Sequence, residues 1–170
     1  MIPVAKPSRR SSKGQKFDSL EQEAYLNLWR TYDRLKALEE DLFAMHQLSA
    51  QQYNTLRLLA NVSPGTMPTL ALGSKLISRA PDMTRMLDKL EQRGLIERER
   101  KPENRRVVEV GITSAGLKLI EQLADAVKEC HHEQLGHMSA ASLRSFVDLL
   151  KQARQPHDAN DAVWLPERNT

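Results

Sequence analysis

The chain has 170 residues, a single cysteine and a formal net charge of +3. This length allows one domain with a sizeable hydrophobic core, with or without appended helices for pairing. One cysteine excludes an internal disulfide framework, and no segment has the pattern of a secretion signal or of a membrane span. We therefore expect a cytoplasmic protein.

The positive charge is concentrated at the N-terminus. Residues 1–17 carry five cations and no acid, so the remaining 20 basic and 22 acidic residues sum to −2. Residues 1–16 contain too few apolar side chains to fold, which predicts a disordered basic tail. Such a tail either stays solvated or follows DNA phosphates, and the composition favours the solvated state.

A long helix and a shorter one are predicted next. Order is expected to begin at Phe17, because Asp18 and Glu21 have the spacing of a capping box. Apolar residues then recur at helical spacing up to Met45. Ser49 and Gln52 repeat the capping box at the start of a second helix, and the prolines, glycine and serine of residues 61–68 predict a loop.

Residues 69–92 have the pattern of two helices joined by a tight turn. We predict a short helix over 69–76, a turn over 77–80 and a second helix that starts at Pro81 and ends before Gly94. One face of the second helix is apolar, at Met83, Met86, Leu87 and Leu90. The opposite face is polar, at Asp82, Thr84, Arg85, Lys89 and Gln92. A helix with these two faces fits the major groove of DNA.

A short basic hairpin is predicted after this helix pair. Its strands are expected over residues 95–100 and 107–113. From Arg98 to Arg106 the chain has five cations and two acids. Such a tip can place an arginine in a minor groove while its neighbours contact phosphates, although an ordinary solvated loop is the alternative.

Two further amphipathic helices are predicted, capped by Thr113 and Ser139. Their apolar faces consist of Leu117, Ile120, Leu123, Ala124, Val127 and Cys130 in the first, and Leu143, Phe146, Val147 and Leu150 in the second. Together with the long first helix, these faces carry more apolar surface than a small helix pair and hairpin can cover. Either a homodimer interface or a larger monomeric core would bury them.

Three segments of the chain together resemble the winged helix-turn-helix of the MarR family of bacterial transcription regulators. They are residues 72–98, the wing Pro102-Glu103-Asn104-Arg105-Arg106, and the helix start Ile112-Thr113-Ser114-Ala115-Gly116. Two positions depart from the family pattern. Asn104 replaces an aspartate whose ion pair supports the wing, and Gly73 replaces the usual alanine.

The resemblance implies a mainly α fold, with a three-helix core, a two- or three-stranded β-wing and long terminal helices for dimerisation. The implied organisation is a disordered tail over 1–16, an N-terminal dimerisation helix over 17–48, a DNA-binding domain over 49–113, C-terminal dimerisation helices over 114–155 and a C-terminal tail over 156–170.

The resemblance also implies the function: sequence-specific binding of double-stranded DNA by a homodimer on a pseudo-palindromic operator. A repressor is favoured, and release by a small phenolic or aromatic ligand is an option that the resemblance leaves open. The implied major-groove residues are Arg79, Asp82, Thr84, Arg85 and Lys89. Arg106, with Arg105, would reach the minor groove, and Arg98, Arg100 and Lys101 would contact phosphates. The alternative is a non-catalytic winged-helix module that binds a protein.

Other kinds of site find less support in the sequence. Tyr25, Trp29, Tyr32 and Phe43 either line a ligand cleft or belong to the core or a dimer interface, and their spacing favours the second. Cys130 on its apolar face is interpreted as a structural thiol. No pair among His46, His131, His132 and His137 has the i, i+4 spacing of metal ligands, so no metal or cofactor is expected. The absence of catalytic motifs argues against an enzyme.

Overall fold

A computed structural model describes residues 17–76, 82–100, 102 and 106–158. The basic tail, the predicted turn over 77–80 with Pro81, positions 101 and 103–105 of the hairpin tip, and residues 159–170 lie outside the described part. The helices are α1 (Leu20–Ala44), α2 (Ala50–Ala60), α3 (Thr69–Lys75), α4 (Met83–Gln92), α5 (Ser114–Leu135) and α6 (Ala140–Arg154), and the strands are β1 (Met67–Pro68), β2 (Ile96–Glu99) and β3 (Glu109–Ile112). The fold is mainly helical, as predicted.

The chain divides into two compact units, the first ending at Leu35 and the second starting at Lys36. We describe each by itself. In the first unit, α1 begins one residue later than its predicted cap requires. The Ser19 hydroxyl, not the Asp18 carboxylate, accepts from the Gln22 amide at 3.1 Å, while the Gln22 side chain accepts from the Asp18 amide at 2.7 Å. The capping box predicted from Asp18 and Glu21 is therefore wrong, because the adjacent Ser19 offers the same spacing.

The second unit contains the hydrophobic core, which is built around α2. The predicted capping box is confirmed: the Ser49 amide donates to the Gln52 side chain at 2.9 Å, and the Gln52 amide donates to the Ser49 hydroxyl at 3.2 Å. Leu56 and Leu59 are fully buried, and Tyr53 stacks on Phe43 with ring centroids 4.6 Å apart. The cap sets where α2 begins, and the buried face then fixes which side of the helix meets the core.

A small antiparallel sheet, in the order β1-β3-β2, forms the base of the hairpin. Ile96 pairs with Ile112 and Glu99 with Glu109, which confirms the hairpin with strands shorter than predicted. The prediction of a loop over 61–68 is wrong at its end, because Met67 and Pro68 pair with β3. Two residues are too few to show strand alternation in a sequence.

The predicted caps of α5 and α6 are confirmed. The Thr113 hydroxyl accepts from the Gly116 amide and the Ser139 hydroxyl from the Ser142 amide, each at 3.1 Å. Leu123, Val127 and Cys130 of α5 are buried in the core, whereas α6 has no buried residue. Among the described helices, none combines the length and the apolar character needed to cross a membrane.

The start of α5 packs tightly against the hairpin. A Cβ atom added at Gly116 would lie 2.3 Å from the Leu95 carbonyl oxygen and 2.6 Å from Ile112 Cγ1. At Gly73 in α3, by contrast, the one atom of the described residues that an added Cβ would meet is the terminal methyl of Met83, at an ordinary 3.4 Å. The two glycines therefore differ in the space around them, and the room for a methyl group at Gly73 means that close packing there does not require glycine.

Two glycine-to-alanine substitutions test this difference. Gly116→Ala is expected to lower the free energy of unfolding by about 1–3 kcal/mol, because the methyl group overlaps backbone. Gly73→Ala is expected to raise it by about 0.4–1 kcal/mol, because alanine lowers the entropy of the unfolded chain. Urea denaturation of both variants measures the changes in unfolding free energy. Equal changes at the two positions would contradict the difference in space around the two glycines.

Candidate nucleic-acid interface

Helix α4 is fixed at both ends by local hydrogen bonds. Asp82 is the N-cap, with its carboxylate accepting from the Arg85 amide at 2.9 Å, so the predicted start at Pro81 is two residues too early. At the other end Gly94 adopts φ 67°, as predicted. Its amide donates to the Glu91 carbonyl at 2.8 Å and the Leu95 amide to the Leu90 carbonyl at 3.0 Å. These paired bonds form a Schellman motif, which ends the helix sharply.

The two faces of α4 are separated as the sequence predicts. Met86, Leu87 and Leu90 are buried, and Met83 packs against the core from a partly buried position. The polar side chains of Asp82, Thr84, Arg85, Lys89 and Gln92 are exposed. The described part of the predicted major-groove set thus lies on one helix and faces solvent. Arg79 lies outside the described residues.

A shallow groove of about 320 Å³ runs between the start of α2 and the polar side of α4. Its lining residues are Ser49, Gln51, Gln52, Asp82, Arg85, Met86 and Lys89. Two cations, the Asp82 carboxylate and the N-terminal end of a helix border the same opening. The charged side chains sum to +1, and the helix end adds a partial positive charge, so the opening favours an anionic group. Ser49, Gln51 and Gln52 were not predicted as site residues, because only the packing of α2 beside α4 brings them there.

The cations of the hairpin fall into two groups. Arg100 and Arg106 are exposed, as their predicted roles require. Arg98 is only partly exposed, with 24% of its side chain accessible. Lys101 and Arg105 lie outside the described residues.

Arg98 of β2 forms ion pairs with two carboxylates of α4. Its Nη2 atom lies 2.6 Å from Asp88 Oδ1 and its Nε atom 3.0 Å from Glu91 Oε2. The hydrogen bonding of Glu91 to Arg98, together with the positive charge of the guanidinium, holds the pKa of Glu91 below its ordinary value. Partly exposed pairs of this kind contribute only about 0–1 kcal/mol to stability. The main effect of the pairing is therefore to fix geometry between α4 and the hairpin.

A second arginine, Arg93, anchors the C-terminal end of α4. Arg93 donates to the carbonyl oxygens of Gln47 at 2.7 Å and of His46 at 3.1 Å. These two carbonyls lie in the turn between α1 and α2, where Gln47 has φ 55°. Helix α4 is thus tied to this turn by one guanidinium and to β2 by another.

The remaining candidates from the sequence have separate environments. Phe43 lies in the core, whereas Tyr25, Trp29 and Tyr32 in the first unit are exposed. Cys130 is buried, and this burial raises the pKa of its thiol. His131 contacts the Gln134 side chain at 2.9 Å. Within the described part of the chain, no three His, Cys, Asp or Glu side chains form a cluster suited to a metal ion.

Comparison with known proteins decides the family. Residues 48–108 match the model of the MarR family. A crystal structure of a MarR transcription factor from Planctomyces limnophilus is 56% identical, and the match covers 81% of this chain and 99% of that one with a TM-score of 0.64. The chain belongs to the MarR family.

Two other MarR-type proteins extend the comparison. The HTH-type transcriptional regulator FarR of Neisseria gonorrhoeae is 31% identical over 66% of this chain and 75% of its own length. A structure of BpsR from Bordetella bronchiseptica is 23% identical, covers 86% of this chain and 100% of that chain, and has a TM-score of 0.71. DNA binding by BpsR is regulated by 6-hydroxynicotinic acid. These matches support a transcription regulator with a winged-helix DNA-binding fold.

The ion pair of this MarR-type hairpin gives a pH-dependent prediction. Arg98→Met is expected to lower the free energy of unfolding by less than about 1 kcal/mol at neutral pH. Because the folded-state pKa of Glu91 is depressed, the pair stabilises the fold above the unfolded-state pKa of about 4.3, and this contribution is lost as the pH falls through the folded-state value.

The difference in unfolding free energy between the wild type and Arg98→Met should therefore shrink between about pH 5 and pH 3. Urea denaturation at several pH values measures it. A difference that stays constant over this range would rule out the ion pair as its source.

Proposed function

We propose that the protein is a sequence-specific double-stranded DNA-binding regulator, acting as a homodimer on a pseudo-palindromic operator. The observation that carries the proposal is the exposure of Thr84, Arg85 and Lys89 on α4 while the opposite face of the same helix is buried. A helix held in this way can enter a major groove with its donors aimed at base edges.

The exposed cations of the hairpin support the same function. Arg100 follows β2 and Arg106 precedes β3, so both lie towards the tip of the hairpin. We propose that Arg106, together with Arg105, enters the minor groove, and that Arg100 and Lys101 contact phosphates. Arg79 and Asp82 complete the proposed major-groove set, with Asp82 also serving as the helix cap.

The groove beside α4 suggests where a phosphate is held. The start of α2 and the cations Arg85 and Lys89 border it and favour an anion, while the Asp82 carboxylate at the same groove is turned to the Arg85 amide that it caps. We propose that one backbone phosphate lies at this opening while the α4 side chains reach the bases. This contact would set the depth of α4 in the major groove, because phosphate contacts fix register and base contacts fix sequence.

Substitutions in α4 and in the hairpin should have different effects on binding. Arg85→Ala is expected to cost about 1–3 kcal/mol on the operator and to relax the preference at one base pair, whereas Lys101→Ala should weaken all duplexes about equally. The operator is first obtained by selection from a random duplex library, and fluorescence anisotropy then measures the affinities. Arg57→Met, which removes an exposed arginine from α2, serves as the control.

The alternative of a protein-binding module is tested in the same measurements. A DNA-binding regulator should show an affinity that falls with salt, with a slope that reports several phosphate contacts. A slope near zero for the wild type would contradict the proposed function. An unchanged base preference in Arg85→Ala would contradict only the role of Arg85. The family and the absence of any catalytic motif in the sequence argue against an enzyme.

Dimerisation is supported by apolar surface on α1. Tyr25, Trp29 and Tyr32 are each about 60% exposed, and they recur at helical spacing along one stripe, with Leu28 beside them. Large exposed apolar patches of this kind mark protein interfaces. We propose that the stripe pairs with a second copy and that α6, which has no buried residue, also contributes to the interface.

A charge placed in the stripe should disrupt the dimer. The wild type is expected to sediment at twice the chain mass of 19.3 kDa, and Trp29→Glu at the chain mass, because a carboxylate would lose its hydration in an apolar interface. Asn27→Glu, on the opposite side of the same helix, should leave the dimer intact. Sedimentation equilibrium at micromolar concentration distinguishes these outcomes, and a wild-type monomer would contradict the proposal.

Two further parts of the function are proposed from the family. We favour a repressor that acts in the cytoplasm, because an operator is accessible there. Release by a small aromatic ligand is consistent with the regulation of DNA binding by 6-hydroxynicotinic acid described for BpsR. Footprinting on the DNA upstream of the protein's own gene, with and without aromatic acids, tests the release, and transcription from the same DNA in vitro, with and without the protein, tests the repression.

A further inference from the structure

Arg98 faces into the molecule, although the sequence groups it with the cations of the hairpin. Residues of a strand alternate between its two faces, so Arg98 shares a face with Ile96, which is buried. Its pairing partner across the sheet is Val110, which is also buried. The Arg98 side chain therefore begins on the core side of the hairpin and extends towards α4.

The guanidinium of Arg98 is already engaged by carboxylates. Nε donates to Glu91 Oε2, while Nη2 donates to both Glu91 Oε2 and Asp88 Oδ1. Asp88 and Glu91 are three residues apart and so lie on one flank of α4. One cation with two anions has a net charge of −1, so this cluster offers a phosphate no excess positive charge.

The position of this cluster links two parts of the proposed DNA-binding surface. Asp88 and Glu91 belong to the helix that carries Arg85 and Lys89, and Arg98 belongs to the strand that leads to the hairpin tip. A bidentate guanidinium contact fixes both distance and orientation. The contact therefore sets the angle between α4 and the hairpin, and it also neutralises part of the acidic charge that α4 would present to DNA.

We propose that Arg98 is a positioning residue for DNA recognition, which holds α4 in register with the hairpin and makes no contact with a phosphate. This inference rests on the proposed DNA-binding function. It replaces the phosphate-contacting role that the sequence suggested for Arg98.

The test uses two variants of the full-length chain that break the contact from opposite sides. Arg98→Met removes the guanidinium and keeps an unbranched stem of similar length to the aliphatic part of arginine, and the double variant Asp88→Asn/Glu91→Gln removes the two anions. Arg57→Met is the matched control, with the same change of residue at an exposed position of α2. Each is titrated with the selected operator and with a scrambled duplex at several salt concentrations, and circular dichroism checks the fold.

A positioning role predicts the same result for both variants. The preference for operator over scrambled duplex should fall about tenfold, while the slope of log affinity against log salt stays as in the wild type. For the double variant this loss runs against simple electrostatics, since removing two acids would by itself strengthen the binding of DNA. The control should change neither quantity.

Other outcomes overturn the inference. A phosphate contact by Arg98 would lower the salt slope of Arg98→Met by about 0.9 and weaken both duplexes equally. Tighter operator binding by the double variant, or an unchanged preference in both variants, would also contradict a positioning role. If the wild type shows no salt-dependent binding to any duplex, the proposed function itself fails, and this result is distinct from the other three.

Discussion

The buried stripe of α4 is the constraint on which the rest of the proposed DNA-binding surface depends. Burying a leucine or methionine side chain contributes about 1.5–3 kcal/mol, and Met86, Leu87 and Leu90 are all buried. A rotation of the helix by one residue would expose part of this surface, at a cost greater than any single polar contact on the other face could offset. The rotation of α4, and therefore the direction of Arg85 and Lys89, is decided by hydrophobic packing.

Arginines in this structure have different surroundings because of where the backbone directs them. Arg85 lies on the exposed face of α4, whereas Arg98 lies on the inner face of β2 and Arg93 bonds to two backbone carbonyls. A count of cations over residues 98–106 treats Arg98 and Arg100 alike. The end of the strand separates them. Arg98 lies within β2 on the buried face of Ile96, whereas β2 ends at Glu99, so Arg100 leaves that face and is exposed.

The predictions from sequence succeeded where the determinants are local. Ser49, Thr113 and Ser139 cap their helices as expected, and Gly94 ends α4, because each depends on residues within one turn. Helix starts were misplaced where adjacent residues offered equivalent caps, as with Asp18 and Ser19. The pairing of Met67 with Val110, the groove between α2 and α4, and the ion pairs of Arg98 depend on contacts between distant segments, which the sequence does not display.

The contact beneath Gly116 limits how this chain can vary. Three elements meet there, since the glycine lies in the first turn of α5, the Leu95 carbonyl precedes β2 and Ile112 ends β3. Any larger residue at this position would have to push α5 away from the base of the hairpin, at Leu95 and Ile112. A natural variant without this glycine would regain the lost stability only through changes at these neighbours, so the base of the hairpin and the first turn of α5 are expected to diverge together.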